Sequence, residues 1–161
     1  MSNSANFKIE TTSFEVVSSI WATELWPGRR SPIESNSAMC WLSGHDMSLM
    51  RVPAHFWIAR SEQFPEQITG VLSGHFGGIV DNHRSYRTRG LWVSTAVRRN
   101  GIARALMNAA TAQAKKENCS LIWTFPRESS ISFYESVGFK RVGEWVDSGE
   151  FGPNIYALKT T

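Results

Sequence analysis

One junction restricts the fold of this chain more than any other. β-forming residues at Leu91, Trp92 and Val93 lead through Arg98-Arg99-Asn100-Gly101 into Ile102-Ala103-Arg104 and a run of helical spacing that reaches Glu117. A strand that passes into a helix through a basic, glycine-containing turn makes an anion pocket. The first N–H groups of a helix have no internal partner and the helix start carries partial positive charge, so backbone alone can hold a phosphate there. Gly101 lets the chain come close, Ala103 keeps the first turn small, and Arg98, Arg99 and Arg104 surround it with charge. The expected ligand is a phosphorylated molecule. Taken alone, the turn also fits an ordinary structural strand-to-helix junction of an α/β protein.

A second motif decides between these readings. Arg98-x-x-Gly101-x-Ala103 is followed, further along the chain, by Phe133-Tyr134-Glu135-x-x-Gly138-Phe139. The first resembles the R/Q-x-x-G-x-G/A pyrophosphate loop of the GNAT N-acetyltransferase superfamily, and the second resembles that family's C-terminal motif, in the same order. The resemblance implies an α+β fold in one domain over residues 1–161, with the motif-bearing core at about 55–160. It further implies a mixed, mostly antiparallel central sheet whose central parallel strands splay apart, with helices on its flanks.

Size and charge are compatible with that expectation. A chain of 161 residues with 42% hydrophobic content can bury one substantial core, whereas two domains would each be unusually small. Met1 to Asn6 is polar and lacks an apolar signal region, and no run of about eighteen apolar residues occurs, so the chain is expected to be cytoplasmic and without a membrane partner. Cys40 and Cys119 lie too far apart for a Cys-x-x-Cys motif and are read as buried thiols. His45, His55, His75 and His83 lack metal-ligand spacing, so no metal is expected. A net charge of +3 is only mildly basic, and nucleic-acid binding would need that charge gathered on one face; a nucleic-acid partner is possible on this charge but not predicted. Of the arginines before the junction, Arg84, Arg87 and Arg89 can serve an acidic substrate, pair with carboxylates, or keep a strand soluble.

Periodicity places the remaining elements. Phe7 to Glu10 alternates as a first strand, and Phe14 to Trp26 has Val17, Ile20, Trp21 and Leu25 at helical spacing, with Ser13 as N-cap and Pro27-Gly28 as the stop. The stretch from Arg29 to Ser48 carries no clear signal. Phe56 to Ala59 and Ile68 to Leu72 are expected to pair as an antiparallel hairpin, with Gly77-Gly78 ending the second strand and Tyr86 to Val93 forming a third. Gly101 to Glu117 is a helix whose apolar stripe is rich in alanine, and Asn118 ends it. Leu121 to Phe125 is a continuous apolar run suited to a central strand buried on both faces. A helix capped by Ser129 or Ser130 stops at Gly138, and strands at Phe139 to Trp145 and Asn154 to Leu158 close the chain across Asp147 to Pro153. From His55 the order is β-β-β-α-β-α-β-β, which resembles the family's.

The resemblance also implies roles for particular positions. Backbone amides of Arg98, Arg99, Asn100, Gly101, Ile102, Ala103 and Arg104 would hold the pyrophosphate of acetyl-CoA as cosubstrate. Backbone near Leu91, Trp92 and Val93 would pair with the pantetheine arm, with an N–H there as oxyanion donor. Tyr134 would protonate the departing thiolate. Arg127 stands where the family commonly has asparagine, and it can reach a cofactor phosphate or the substrate instead. No general base carries over from the family, and Glu24, Glu34, His75 and Asp81 are candidates by region alone. The block from Trp26 to Glu34, with Arg29 and Arg30, is the expected substrate-reading element, favouring an anionic or aromatic group near the accepting amine.

The expected activity is acetyl transfer to a primary amine of a small molecule or protein by direct attack on the thioester. The alternatives are another acyltransferase or a nucleobase-modifying enzyme on the same fold, or a noncatalytic acyl-CoA-binding module. The fold is compatible with a homodimer.

Overall fold

The computed structural model describes residues 6–147 and 149–161, so the polar start before Asn6 and Ser148 lie outside the described residues. Strand β1 (Phe7–Thr12) leads into helix α1 (Phe14–Ile20), which continues as a π-helical turn over Trp21–Leu25. After a 3-10 turn at Met47–Arg51 come β2 (Ala54–Ser61), β3 (Ile68–Val80) and β4 (His83–Val93). A short 3-10 turn at Thr95–Val97 precedes α2 (Ile102–Lys116), followed by β5 (Leu121–Thr124), α3 (Ile131–Ser136), β6 (Lys140–Val146) and β7 (Asn154–Thr160).

The strands form one sheet in the order β1-β2-β3-β4-β5-β7-β6. Every neighbouring pair is antiparallel except β4 and β5, which are parallel. Helix α2 covers one face. Its buried Ile102, Leu106, Met107, Ala110 and Ala114 pack with Leu72, Tyr86 and Ile122 of the sheet. The alanines let the helix backbone lie close, while full burial of a side chain such as Leu106 contributes about 2 kcal/mol. Lys115 and Lys116 end the helix where positive charge suits its dipole, and Asn118 takes the left-handed conformation there (φ 59°). The opposite face carries two apolar groups. Val17 and Trp21 of the N-terminal helical segment pack on Phe56, Ile58 and Val71. Trp123, Tyr156 and Val80 pack beneath Met39 and Trp41.

Three expectations need correction. Gly77-Gly78 does not end the second strand: β3 runs on to Val80, and a register shift between Phe76 and Ile79 absorbs the two glycines as a bulge. The helix expected from Phe14 to Trp26 is α-helical only to Ile20, because the Trp26 N–H reaches back five residues to the Trp21 carbonyl (2.6 Å). Ser13 and Ser130 occupy N-cap positions, yet neither side chain makes a capping hydrogen bond.

Candidate functional site

The site begins where β4 and β5 part. They pair only at Ser85 with Leu121, Tyr86 with Ile122 and Arg87 with Trp123. Past that rung β4 continues to Val93 on β3 alone, with Trp92 opposite Val71 and Val93 opposite Gly70. At Gly90 the strand bulges, since Arg89 pairs with Ser73 and Trp92 with Val71. Gly90 has φ +72°, and an added Cβ would lie 2.3 Å from the Trp21 indole. The same indole donates its Nε1–H to the Gly90 carbonyl (2.8 Å), which pins the bulge. The bulge also changes which face each side chain meets. Tyr86 packs toward α2 and Arg87 toward Trp123, but beyond Gly90 it is Leu91 and Val93 that face α2 while Trp92 joins the Trp21 cluster.

Strand geometry then decides which backbone groups are free. Ser94 donates its N–H to the Thr69 carbonyl (2.8 Å), so alternation turns the peptide groups of Val93 the other way, into the β4–β5 gap. Arg98 folds back and donates from Nε to the Val93 carbonyl (3.1 Å). Asn100 likewise turns inward, its side-chain amide donating to the Val97 carbonyl.

At the mouth of the gap, Gly101 caps α2 in the left-handed conformation (φ +83°), and Arg99 before it is also left-handed (φ 69°). The first intrahelical bond runs from Ala105 N–H to the Gly101 carbonyl, which leaves the preceding amides of Ile102, Ala103 and Arg104 outside the helical ladder. Arg98, Arg99 and Arg104 are exposed around them. The Ile102 side chain is buried in the α2 core, so only its backbone can meet a ligand.

A cavity of about 1010 Å³ follows the gap from this mouth inward, past Leu91 and Val93, to Tyr134 and the far wall at Trp26, Arg29 and Met39. Tyr134 is 4% exposed and packs edge-on against Phe133 and Phe139. Gly138 ends α3 and Phe139 donates its N–H to the Tyr134 carbonyl, so the turn folds the chain back over the tyrosine. Burial pushes the phenol pKa up to about 12, with the Thr124 hydroxyl acting the other way as a hydrogen-bond partner of the phenolate. Tyr134 is therefore fully protonated at neutral pH.

Arg127 lines the same cavity from the turn after β5. Its guanidinium donates to the Leu25 carbonyl (2.9 Å) and lies over the Phe151 ring (4.9 Å). The side chain thus joins the β5–α3 turn to the end of the π-helical turn.

The four general-base candidates separate cleanly. His75 is fully buried; Ser37 donates its N–H to Nε2 (3.2 Å) and Nδ1 lies 2.7 Å from the Phe76 carbonyl, so both ring nitrogens are occupied. Burial, with the Arg87 charge, pushes its pKa down to about 3. Asp81 sits in the β3–β4 turn, at the opposite end of β4 from Val93. Glu34 does not line the cavity, whereas Glu24 does.

The sequence left three roles open to Arg84, Arg87 and Arg89, and the structure separates them. Arg84 is exposed and keeps its strand end solvated, but Arg87 is 6% exposed and Arg89 is half-buried. Arg87 stacks over Trp123 (4.7 Å), and Arg89 lies over Trp21 (5.1 Å) and Trp26 (5.3 Å). Burial pushes their pKa values down to about 10 and about 9, so both remain cations at neutral pH. Their i, i+2 spacing on one strand was the available signal, since it puts both on one face. Both cysteines are free, Cys119 buried and Cys40 half-buried. Among the described residues no three metal-ligating side chains come together, and no helix is long and apolar enough to cross a membrane.

This geometry has counterparts among known proteins. The sequence profile of the acetyltransferase (GNAT) domain matches residues 53–141, which include the splayed strands and both motifs. The rat N-acetyltransferase family 8 member 3 is 29% identical over 131 residues, 75% of this chain and 55% of that protein. The chain therefore spans about half the length of that curated relative. Among solved structures, a GNAT-family acetyltransferase from Staphylococcus aureus superposes with a TM-score of 0.63 at 17% identity, over 96% of this chain and 99% of the other. Ard1 from Thermoplasma volcanium gives 0.64 at 15% identity, over 96% and 97%. A chain of the NatC complex bound to Gag peptide and CoA gives 0.67 at 14% identity, over 97% and 99%.

Proposed function

The chain belongs to the GNAT acetyltransferase family, and from that premise we propose that it is an N-acetyltransferase that uses acetyl-CoA to acylate a primary amine of a small molecule or protein. The observation that carries this reading is one continuous cavity with free helix-start amides at its mouth and a protonated tyrosine inside it. The residues fit an acyl-CoA: exposed Arg98, Arg99 and Arg104 suit its phosphates, and the β4–β5 gap suits an extended amide-containing arm. When bound, the coenzyme supplies an activated thioester, whose carbon–sulfur bond breaks as the amine nitrogen forms the new carbon–nitrogen bond.

The protein's own groups manage charge and protons around that exchange. The Val93 N–H, turned into the gap, is placed to donate to a developing oxyanion. Glu24, or water beside it, takes the proton that the attacking amine must lose. Tyr134 gives its hydroxyl proton to the departing thiolate and regains one afterwards from solvent. Against a thiol of pKa ~8.5 in water, a phenol at about 12 would donate uphill by roughly 5 kcal/mol. The dry site that raises the phenol raises the thiol as well, so the two are better matched within the cavity than in water.

Calorimetric titration with acetyl-CoA, CoA and a DNA oligonucleotide tests this reading. Binding of both coenzyme forms and none of DNA is expected, together with acetylation of members of an amine panel. Failure to bind either coenzyme form would overturn it.

A further inference from the structure

The floor of the cavity is built unlike its mouth. Arg87 Nε and Nη1 are buried and have no hydrogen-bond partner, and the hydroxyl of the next residue, Thr88, is buried without one as well. Both residues line the cavity, together with Arg89 and Arg29. Arg89 spends its Nη1 donors on backbone carbonyls, those of Glu34 (2.8 Å) and Ser35 (3.4 Å), and Arg29 donates to the Ser31 hydroxyl. Among the described residues, the ion pairs join Lys8 and Arg60 to Glu10 and Arg141 to Glu135, and His55 lies 3.7 Å from Glu117. None reaches Arg29, Arg87 or Arg89. A buried cation without a counter-ion is costly, because the low-dielectric interior replaces water that would have solvated it. Stacking on Trp123 recovers only part of that cost. Beyond burial, the charges of Arg87 and Arg29 both depress the basicity of Arg89, and the more distant Glu34 carboxylate acts the other way without forming an ion pair with it. A fold that keeps these cations together around an open cavity is stabilised by an anion entering it.

Position says which reactant brings that anion. Arg87 forms the last β4–β5 rung, at the closed inner end of the gap, whereas the pyrophosphate donors stand at its mouth beyond Val93. Arg89 faces the N-terminal segment, over Trp21 and Trp26, and Arg87 lies over Trp123 of β5, away from α2. We propose that Arg87, Arg89 and Arg29 form an oxyanion subsite for the acceptor, so that the small amine acylated by this protein carries a carboxylate or phosphate of its own. This rests on the acetyltransferase reading above and narrows its acceptor. Arg87 supplies the free donors, Arg89 and Arg29 add field, and the indoles shape the wall. Charge-assisted guanidinium hydrogen bonds suit either oxyanion.

Two matched pairs of amines test the subsite: L-phenylalanine against L-phenylalaninamide, and O-phosphoethanolamine against ethanolamine, each with acetyl-CoA. In at least one pair the anionic member should be acetylated with kcat/KM at least tenfold above its neutral partner, and which pair responds identifies carboxylate or phosphate. Arg87→Met should bring that ratio near one while leaving the calorimetric affinity for acetyl-CoA within twofold. Arg29→Ala, on the far wall of the cavity, should lower the ratio about threefold and serves where Arg87→Met does not fold. If none of the four amines is acetylated, their calorimetric binding to the CoA-saturated protein reads the same preference without turnover. Equal handling or no binding of both members of both pairs, or a preference that survives Arg87→Met and Arg29→Ala, overturns the subsite. In each of those cases acetyl-CoA binding still stands or falls separately, so loss of the subsite is distinguishable from loss of the acetyltransferase reading.

Discussion

Two sets of arginines serve one cavity, and they do so by opposite physics. Arg98, Arg99 and Arg104 stand in water around the start of α2, where charge costs nothing to keep and little to screen. Arg87 and Arg89 sit on β4 behind aromatic rings, where each charge is expensive and poorly screened. The first set suits a ligand that must enter and leave at every turnover. The second suits discrimination, since an interior cation rewards an anion strongly and penalises its absence. The difference teaches that residue type alone does not fix a role; desolvation does.

The sharpest way to break this comparison uses its two left-handed glycines. At Gly90 a side chain meets both the positive φ and the Trp21 ring at 2.3 Å, so Gly90→Val should cost on the order of 4 kcal/mol in chemical denaturation. At Gly101 φ is also positive but the space is open, so Gly101→Val should cost only about 2 kcal/mol of stability, from backbone strain alone, while weakening acetyl-CoA binding. Equal stability losses would show that the inner wall is no more rigid than the mouth.

Tyr134 lies between the two regions and should belong to neither binding event. Tyr134→Phe is expected to lower kcat about 100-fold while the Kd for acetyl-CoA moves less than twofold. With the phenol at about 12, kcat should show no falling limb from this group up to pH 10. An unchanged kcat would remove its role as proton donor.

His75, which feels the Arg87 charge, reports on the inner region through pH. Its folded pKa of about 3 lies below the unfolded value near 6.5, so the unfolded chain binds the extra proton. Stability contributed by neutral His75 is thus complete above pH 6.5 and is lost as pH falls toward 3, with a slope of up to about 1.4 kcal/mol per pH unit. His75→Gln should remove one proton's worth of that slope; an identical slope in the variant would place the histidine in contact with solvent.

Salt gives the smallest effect and the most direct contrast. Raising ionic strength from 0.05 to 0.5 M shortens the screening length several-fold, so the Kd for acetyl-CoA should rise roughly threefold to tenfold. The preference for an anionic acceptor should change less than twofold, and parallel losses would mean that both arginine sets are solvated alike.

What was readable in the chain follows the same division between local and distant causes. The turn from Val93 to Arg104 and the helix end at Gly138-Phe139 depend on residues adjacent in sequence; the first is found at the cavity mouth, and the second folds back on Tyr134, which lines the same cavity. The apolar run at Leu121 to Phe125 likewise marks a central strand, β5, flanked by β4 and β7. The segment from Arg29 to Ser48 was opaque because its order comes from elsewhere: Arg89 holds the Glu34 carbonyl, His75 accepts from Ser37, and Asn36 donates to Leu49 and Val52. The glycine pair at 77 and 78 misled because a bulge and a stop have the same composition, and only the partner strand tells them apart. The burial of Arg87 was hidden for a related reason. Nothing in its neighbours along the chain announces that Trp123 will cover it.

The aromatic floor has one more consequence, for how the molecule is observed. Three indoles, those of Trp21, Trp26 and Trp123, each lie within 4.7 to 5.3 Å of a guanidinium of Arg87 or Arg89. Indole emission responds to the electric field across the ring, and an anion settling among these cations changes that field at all three rings. The cavity therefore carries its own optical gauge, in which filling of the inner end is recorded as a shift in tryptophan emission without label or turnover.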